Sequence, residues 1–133
     1  MQKQVEVNRA EGNLLLCVAT FLPVRRWRDV ISFLSMSSRV EKQLKVTKGL
    51  IRYSVRADII RKHFWTFTVW SSKAEMNSFV TSEPHATSVR KFGDWAGAGA
   101  AFVEWISATG SIDWSEALDR LKNPTFYYGQ RNK

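Results

Sequence analysis

The amino-acid sequence predicts an α+β fold: a ferredoxin-like β-α-β-β-α-β unit built on an antiparallel sheet. Three observations carry the prediction. Residues 63–70 alternate strictly with period two, Trp65, Phe67 and Val69 sharing one side and Phe64, Thr66, Thr68 and Trp70 the other, the signature of a strand with two distinct faces. Trp27, Val30, Ile31, Phe33 and Leu34 recur at helical spacing, with Val40 and Leu44 continuing the stripe. Two helix-start signatures, Ser72-Lys73-Ala74-Glu75 and Asp113-Trp114-Ser115-Glu116, fix where the later helices begin.

In chain order, residues 1–12 are polar and read as a flexible N-terminal segment. Leu14 to Leu22 is a first strand ended by Pro23, and residues 24–45 form a long amphipathic helix broken at Lys48-Gly49. Leu50 to Ala57 is the second strand, with Ile51, Tyr53 and Val55 opposite Arg52, Ser54 and Arg56. A turn over Asp58 to Lys62 leads into the third strand, His63 to Trp70. A helix follows from Ser72 through Val80 and restarts after Ser82-Glu83-Pro84-His85, because proline suits a first helical turn. Residues 93–99, rich in glycine and alanine, read as a connection; Ala101 to Ser107 is the last strand, and a short helix runs from Asp113 to Leu121. Residues 13–122 are thus expected to form one domain, with 123–133 as a tail.

Composition narrows the function classes. At 133 residues with 44% hydrophobic content, the chain can bury one core without staples. Its single cysteine, Cys17, excludes an intramolecular disulfide framework and a cysteine-based zinc site, and no His/Asp/Glu cluster has metal spacing. The apolar run from Leu14 to Val24 is too short to span a bilayer and lacks a basic leader, so a cytoplasmic protein is expected. The net charge of +8 lies wholly in residues 1–62, which hold thirteen Lys and Arg against five Asp and Glu. The densest part, Arg39 to Lys62, would attract anions such as nucleic acid or acidic lipid, or is simply a solvated face.

A single layer of helices leaves the other sheet face bare. Phe64 and Trp70 are expected there, and an apolar patch of that kind predicts a homodimer joined through the open faces.

More specific is the run Phe64-Trp65-Thr66-Phe67-Thr68-Val69-Trp70, followed by Phe79-Val80, Ser82, Pro84-His85, then Phe102-Val103, Trp105, and Trp114 with Ala117-Leu118. This pattern resembles the antibiotic biosynthesis monooxygenase superfamily, and within it a branch similar to spheroidene monooxygenase. The resemblance implies a dimeric α/β barrel and a small oxygenase-like protein, with haem or no cofactor at all. In haem-degrading members an asparagine, a tryptophan and an axial histidine are expected where this chain has Val18, Phe79 and Val89, which argues against that chemistry.

Among individual residues, His85 is the catalytic candidate. Near a helix N-terminus the imidazole is expected to be neutral, free to act as a haem ligand, a base or a hydrogen-bond anchor. Trp70, Trp105, Phe64 and Arg52 are the ligand-binding candidates, around a small apolar or aromatic ligand held between sheet and helices. His63 is expected to face solvent, and Glu104 to pair with Arg52 or Arg56. Two other readings stand beside the oxygenase: a non-catalytic ligand-binding or structural dimer, and a basic RNA-binding domain of the same strand order. The latter is weakened because Arg61-Lys62-His63-Phe64-Trp65-Thr66 lacks the glycine its third strand needs.

Overall fold

The computed structural model describes residues 1–10 and 14–128. Its elements are β1 (Gln2–Glu6), β2 (Leu15–Pro23), α1 (Trp27–Lys45), β3 (Leu50–Asp58), β4 (His63–Trp70), α2 (Lys73–Val80), α3 (His85–Trp95), β5 (Ala101–Ser107), α4 (Trp114–Arg120) and β6 (Phe126–Tyr127). The strands form one antiparallel sheet in the order β1-β3-β4-β2-β5-β6. Its four central strands, with α1 and the α2–α3 pair as crossovers, are the expected ferredoxin-like unit. Both helix-start signatures act as caps: the Ser72 hydroxyl accepts from the Glu75 amide, and the Asp113 carboxylate accepts from the amides of Ser115 and Glu116.

The sheet is covered on both faces, by different means. On one face, Leu16, Tyr53 and Trp70 pack with Leu44 of α1 and Phe79 of α2, and Phe64 packs with Phe33 of α1 and Phe92 of α3. On the other, Cys17, Ala19, Phe67, Val69, Val103 and Trp105 pack beneath Trp114 and Ala117 of α4. This corrects the sequence reading: Phe64 and Trp70 lie on the helix side, 6% and 1% exposed, and the opposite face is not bare. Period-two alternation separates two faces but does not say which one the long helix will cover. The short helix expected near the C-terminus turns out to be the second cover.

A hydrogen-bond relay holds that cover in place. Ser54, 1% exposed, accepts a bond from the Trp114 indole N–H (3.0 Å) and donates one to the Lys3 carbonyl (2.6 Å), linking α4, β3 and β1. Trp114 also meets Phe67 edge-on at 5.7 Å and carries the Arg56 guanidinium at 5.9 Å from its ring.

Other departures have local causes. Residues 2–6, read as flexible from their polarity, pair with Arg52–Arg56 as an edge strand; all its side chains but Val5 are exposed, so no buried face imprints an apolar alternation on it. In the tail, Phe126 and Tyr127 pair with β5. A register shift between Leu50 and Arg52 places Ile51 in the α4-side cluster, apart from Tyr53 and Val55. Helix α3 runs through Gly93 to Trp95, so the connection is shorter than 93–99. Glu104 pairs with Lys73 at 2.6 Å, not with Arg52 or Arg56, because it projects from β5 on the face towards α2 while those arginines share the α4 face.

A second polar anchor joins α1 to the sheet. The Tyr53 hydroxyl donates to Glu41 at 2.6 Å, and Lys3 pairs with the same carboxylate at 2.6 Å. Burial pushes the Glu41 carboxyl up, but the bonds from Lys3 and Tyr53 outweigh it and hold the group below its ordinary value. Replacing Tyr53 with Phe removes a hydrogen bond to a charged acceptor, and urea denaturation should show a loss of about 1.5–3 kcal/mol. A loss below about 0.5 kcal/mol would mean that this bond contributes nothing net.

Candidate functional site

Helix α3 begins without a side-chain cap from its own N-cap residue, Pro84. Its first amides are satisfied from elsewhere. The Gln43 side chain, from α1, accepts the His85 backbone N–H at 3.0 Å, and the Glu83 carboxylate accepts from the amide and hydroxyl of Thr87. This arrangement fixes His85 against α1 and α2 together.

The imidazole is pinned on two sides. Its ring centroid lies 4.7 Å from that of Phe79, which in turn lies 5.4 Å from Trp70, so the three rings form a row running into the core. Nδ1 lies 3.1 Å from the Val80 carbonyl oxygen. A carbonyl only accepts, so Nδ1 must carry the proton of that bond. Burial lowers the pKa of His85 below the ordinary imidazole value, the bond to Val80 opposing the shift. The ring is therefore neutral at physiological pH, and the tautomer that serves Val80 leaves the lone pair on Nε2. A fixed, uncharged imidazole with a known basic nitrogen can accept a proton or a hydrogen bond from a bound molecule.

Beside it, between the end of α1 and α2, lies an open cleft of about 380 Å³ lined by Gln43, Val46, Thr47, Lys48, Glu75, Ser78, Phe79, Ser82 and Glu83. Gln43 and Phe79 belong to the cleft wall and also touch His85. The space between sheet and helices, where a ligand was expected, is occupied by Leu16, Leu44, Leu50, Tyr53, Trp70 and Phe79. Apolar side chains fill the interior and leave an opening at its margin.

The candidate residues do not gather in one place. His85 and Trp70 are joined through Phe79. Phe64 is at the other end of the same face, against Phe33 and Phe92. Trp105 packs on the opposite face with Phe67 and under Arg120, and it lines a separate groove of about 270 Å³ with Leu14, Leu16, Ser71, Ser72, Lys73, Glu104 and Ile106. Arg52 is committed to Glu6 at 3.0 Å and to the Gly110 carbonyl at 2.6 Å. His63 is half-buried in a cluster with Phe21 and Trp65. Cys17 is fully buried and burial pushes its thiol up to about 11, so it is no nucleophile at neutral pH. Among the described residues no group of three or more His, Cys, Asp or Glu side chains could hold a metal ion, and no helix is long and apolar enough to cross a membrane. Phe79 stands in the sequence only as the place of a missing tryptophan, and Gln43 reads as an ordinary position on its own helix. Nothing in the sequence ties position 43 to position 85.

This architecture, an antiparallel sheet with paired helices in ferredoxin-like order, is shared with solved structures that include proteins described as antibiotic biosynthesis monooxygenases. The chain superposes on a conserved protein from Methanosarcina mazei with a TM-score of 0.62 at 12% identity, covering 70% of this chain and 92% of that one. It superposes on a putative antibiotic biosynthesis monooxygenase from Nitrosomonas europaea with a TM-score of 0.58 at 11% identity, covering 74% and 91% of the two chains. For SnoaB, a cofactor-independent oxygenase from Streptomyces nogalater, the values are 0.52 and 10%, with 72% and 92% covered. At such identities the likeness is one of fold alone, and the narrower resemblance to spheroidene monooxygenase gains no support from it. The sequence matches no protein-family model and no curated protein.

The lowered pKa of His85 has a measurable consequence. As pH falls, the unfolded chain binds a proton at this position before the folded protein does. The associated stability is therefore intact above the unfolded value of about 6.5 and is lost as pH falls from there towards the depressed folded value. Replacing His85 with Asn, whose amide can still donate to Val80, should make the melting temperature fall less steeply below about pH 6.5. Equal slopes in both proteins would show that His85 titrates alike folded and unfolded.

Proposed function

We propose that this chain is a small oxygenase-like protein that works without haem, holding a small aromatic or apolar molecule with a hydroxyl group in the cleft beside His85. The observation that carries the reading is the neutral, doubly pinned His85, which touches Gln43 and Phe79, two wall residues of a cleft of the size small ligands occupy. The ligand's apolar body would rest on Phe79 and Val46, and its hydroxyl would reach Ser78, Ser82 or the imidazole. His85 then acts as a base towards that hydroxyl, raising the electron density of the ligand. The shared fold with a cofactor-independent oxygenase supports the same reading.

Haem fits the residues poorly. The cleft beside His85 sets the carboxylates Glu75 and Glu83 and the hydroxyls of Thr47, Ser78 and Ser82 against a single cation, Lys48, whereas a macrocycle with two propionates calls for an apolar slot with cationic ends. The groove at Trp105 offers no histidine, cysteine, tyrosine or methionine as an axial ligand.

A structural or ligand-binding homodimer is the second reading, and one observation favours it. Phe21 and Trp65 stack at 5.4 Å on the α4-side face and stay half-exposed. A partner's sheet would meet them there, at the end of the face that α4 leaves uncovered. The RNA-binding reading is weaker, since base stacking needs free aromatics on the central strands and Phe67, at the centre of the face, is 0% exposed beneath Trp114.

His85→Ala should abolish binding of a small phenol-bearing aromatic probe, followed by tryptophan fluorescence, while Trp105→Phe leaves it unchanged. Equal binding by wild type and His85→Ala would remove the site. Added haem should give no absorption band characteristic of ligation, and a band lost in His85→Ala would overturn the haem-free reading. Light scattering at micromolar concentration should find a dimer that Trp65→Glu dissociates; a wild-type monomer would remove the second reading.

A further inference from the structure

One end of the molecule displays an apolar surface inside a basic rim. Trp27 and Ile31 lie one turn apart at the start of α1, with Leu34 a turn further on, and they are 56%, 77% and 42% exposed. They form a stripe away from Phe33 and Met36, which face the core. The β3–β4 turn reaches the same end of the molecule: the Lys62 carbonyl accepts the Val24 amide at 2.8 Å, and the Lys62 ammonium sits 4.9 Å from the centre of the Trp27 ring. That turn carries Ile59 and Ile60, 42% and 84% exposed. Two elements distant in sequence thus bring five large apolar side chains to one end of the protein.

Five cations adjoin them in the chain, Arg25, Arg26, Arg28, Arg61 and Lys62, and Lys62 lies against the Trp27 ring. Asp29 is paired with Arg26 at 3.0 Å and Asp58 with Arg61 at 2.8 Å. Among the described residues no carboxylate lies within salt-bridge distance of Arg25, Arg28 or Lys62. The excess charge at this end is therefore positive.

We infer that this end of the protein docks on an anionic lipid surface, Ile31 and Ile60 entering the headgroup and acyl boundary while the arginines and Lys62 meet lipid phosphates. Exposed isoleucines gain by leaving water, an indole is favoured at the depth of the headgroups, and a basic rim is attracted to an acidic leaflet. The chemistry disfavours the other occupants. A second copy would bring the same positive rim against this one. A nucleic acid strand would neutralise the cations but leave the isoleucines beside phosphates. The contact is peripheral and rests on side chains at and just before the first turns of α1 and on one turn of the sheet.

Co-sedimentation with phosphatidylcholine vesicles, with and without phosphatidylserine, tests the inference. The wild-type protein should sediment with the phosphatidylserine vesicles and stay in solution with phosphatidylcholine alone. Ile31→Glu combined with Ile60→Glu changes only exposed positions and should abolish sedimentation while the circular dichroism spectrum and melting temperature hold. Arg28→Ala or Lys62→Ala should each weaken it about fivefold. Failure of the wild type to sediment with phosphatidylserine vesicles overturns the inference. So does undiminished sedimentation of the double isoleucine variant. Capture by a single-stranded oligonucleotide but not by the vesicles would assign the basic surface to nucleic acid instead.

Discussion

The buried hydroxyl of Ser54 is the point on which this variant of the ferredoxin-like arrangement turns. It is a polar group in the middle of a sheet, and it is satisfied twice, by the indole of Trp114 and by the carbonyl of Lys3. A buried hydroxyl left without partners costs more than the bonds gain, so Ser54 favours α4 docked and β1 paired at once. With α4 down, Phe67, Val69 and Ala117 are sealed from water. With β1 in place, Lys3 reaches Glu41 and reinforces the anchor that Tyr53 makes to α1. Both covers of the sheet are thus tied to one strand, β3.

This double covering governs where function can reside. The centre of the α4-side face is closed by Trp114, so planar ligands and partner sheets are left with the margin around Phe21 and Trp65. The helix side is filled with aromatic and aliphatic side chains, and its opening falls between α1 and α2, beside His85. The positive, apolar tip of α1 lies at the opposite end of that helix from Gln43, separating the proposed lipid contact from the proposed ligand cleft by most of the length of a 19-residue helix.

Much of this arrangement was legible in the sequence. The third strand, the last strand and both capped helix starts fall where alternation and capping chemistry place them, because each is decided by neighbours within a few residues. What local patterns do not carry is the choice between faces. Phe64 and Trp70 look like an exposed pair until the path of α1 over the sheet is known. Ile51 follows the alternation of its strand until the register shift at Leu50 and Arg52 moves it. Glu104 finds Lys73 rather than an arginine because the pleat, not the sequence distance, decides which side chains meet. The site divides the same way. His85 stands out by its proline and helix start, while Gln43, which holds its backbone, is a contact across 42 residues that no spacing announces.

The most direct test of this account is a double-mutant cycle between Ser54→Ala and Trp114→Phe, read by urea denaturation. If the Trp114 indole and the Ser54 hydroxyl hold α4 on the sheet, each change destabilises the protein. The pair should then cost less than the sum of the two by about 1 kcal/mol, because the bond can be lost only once. Additive losses, agreeing within about 0.3–0.5 kcal/mol, would contradict it and leave α4 a helix whose position owes nothing to that bond.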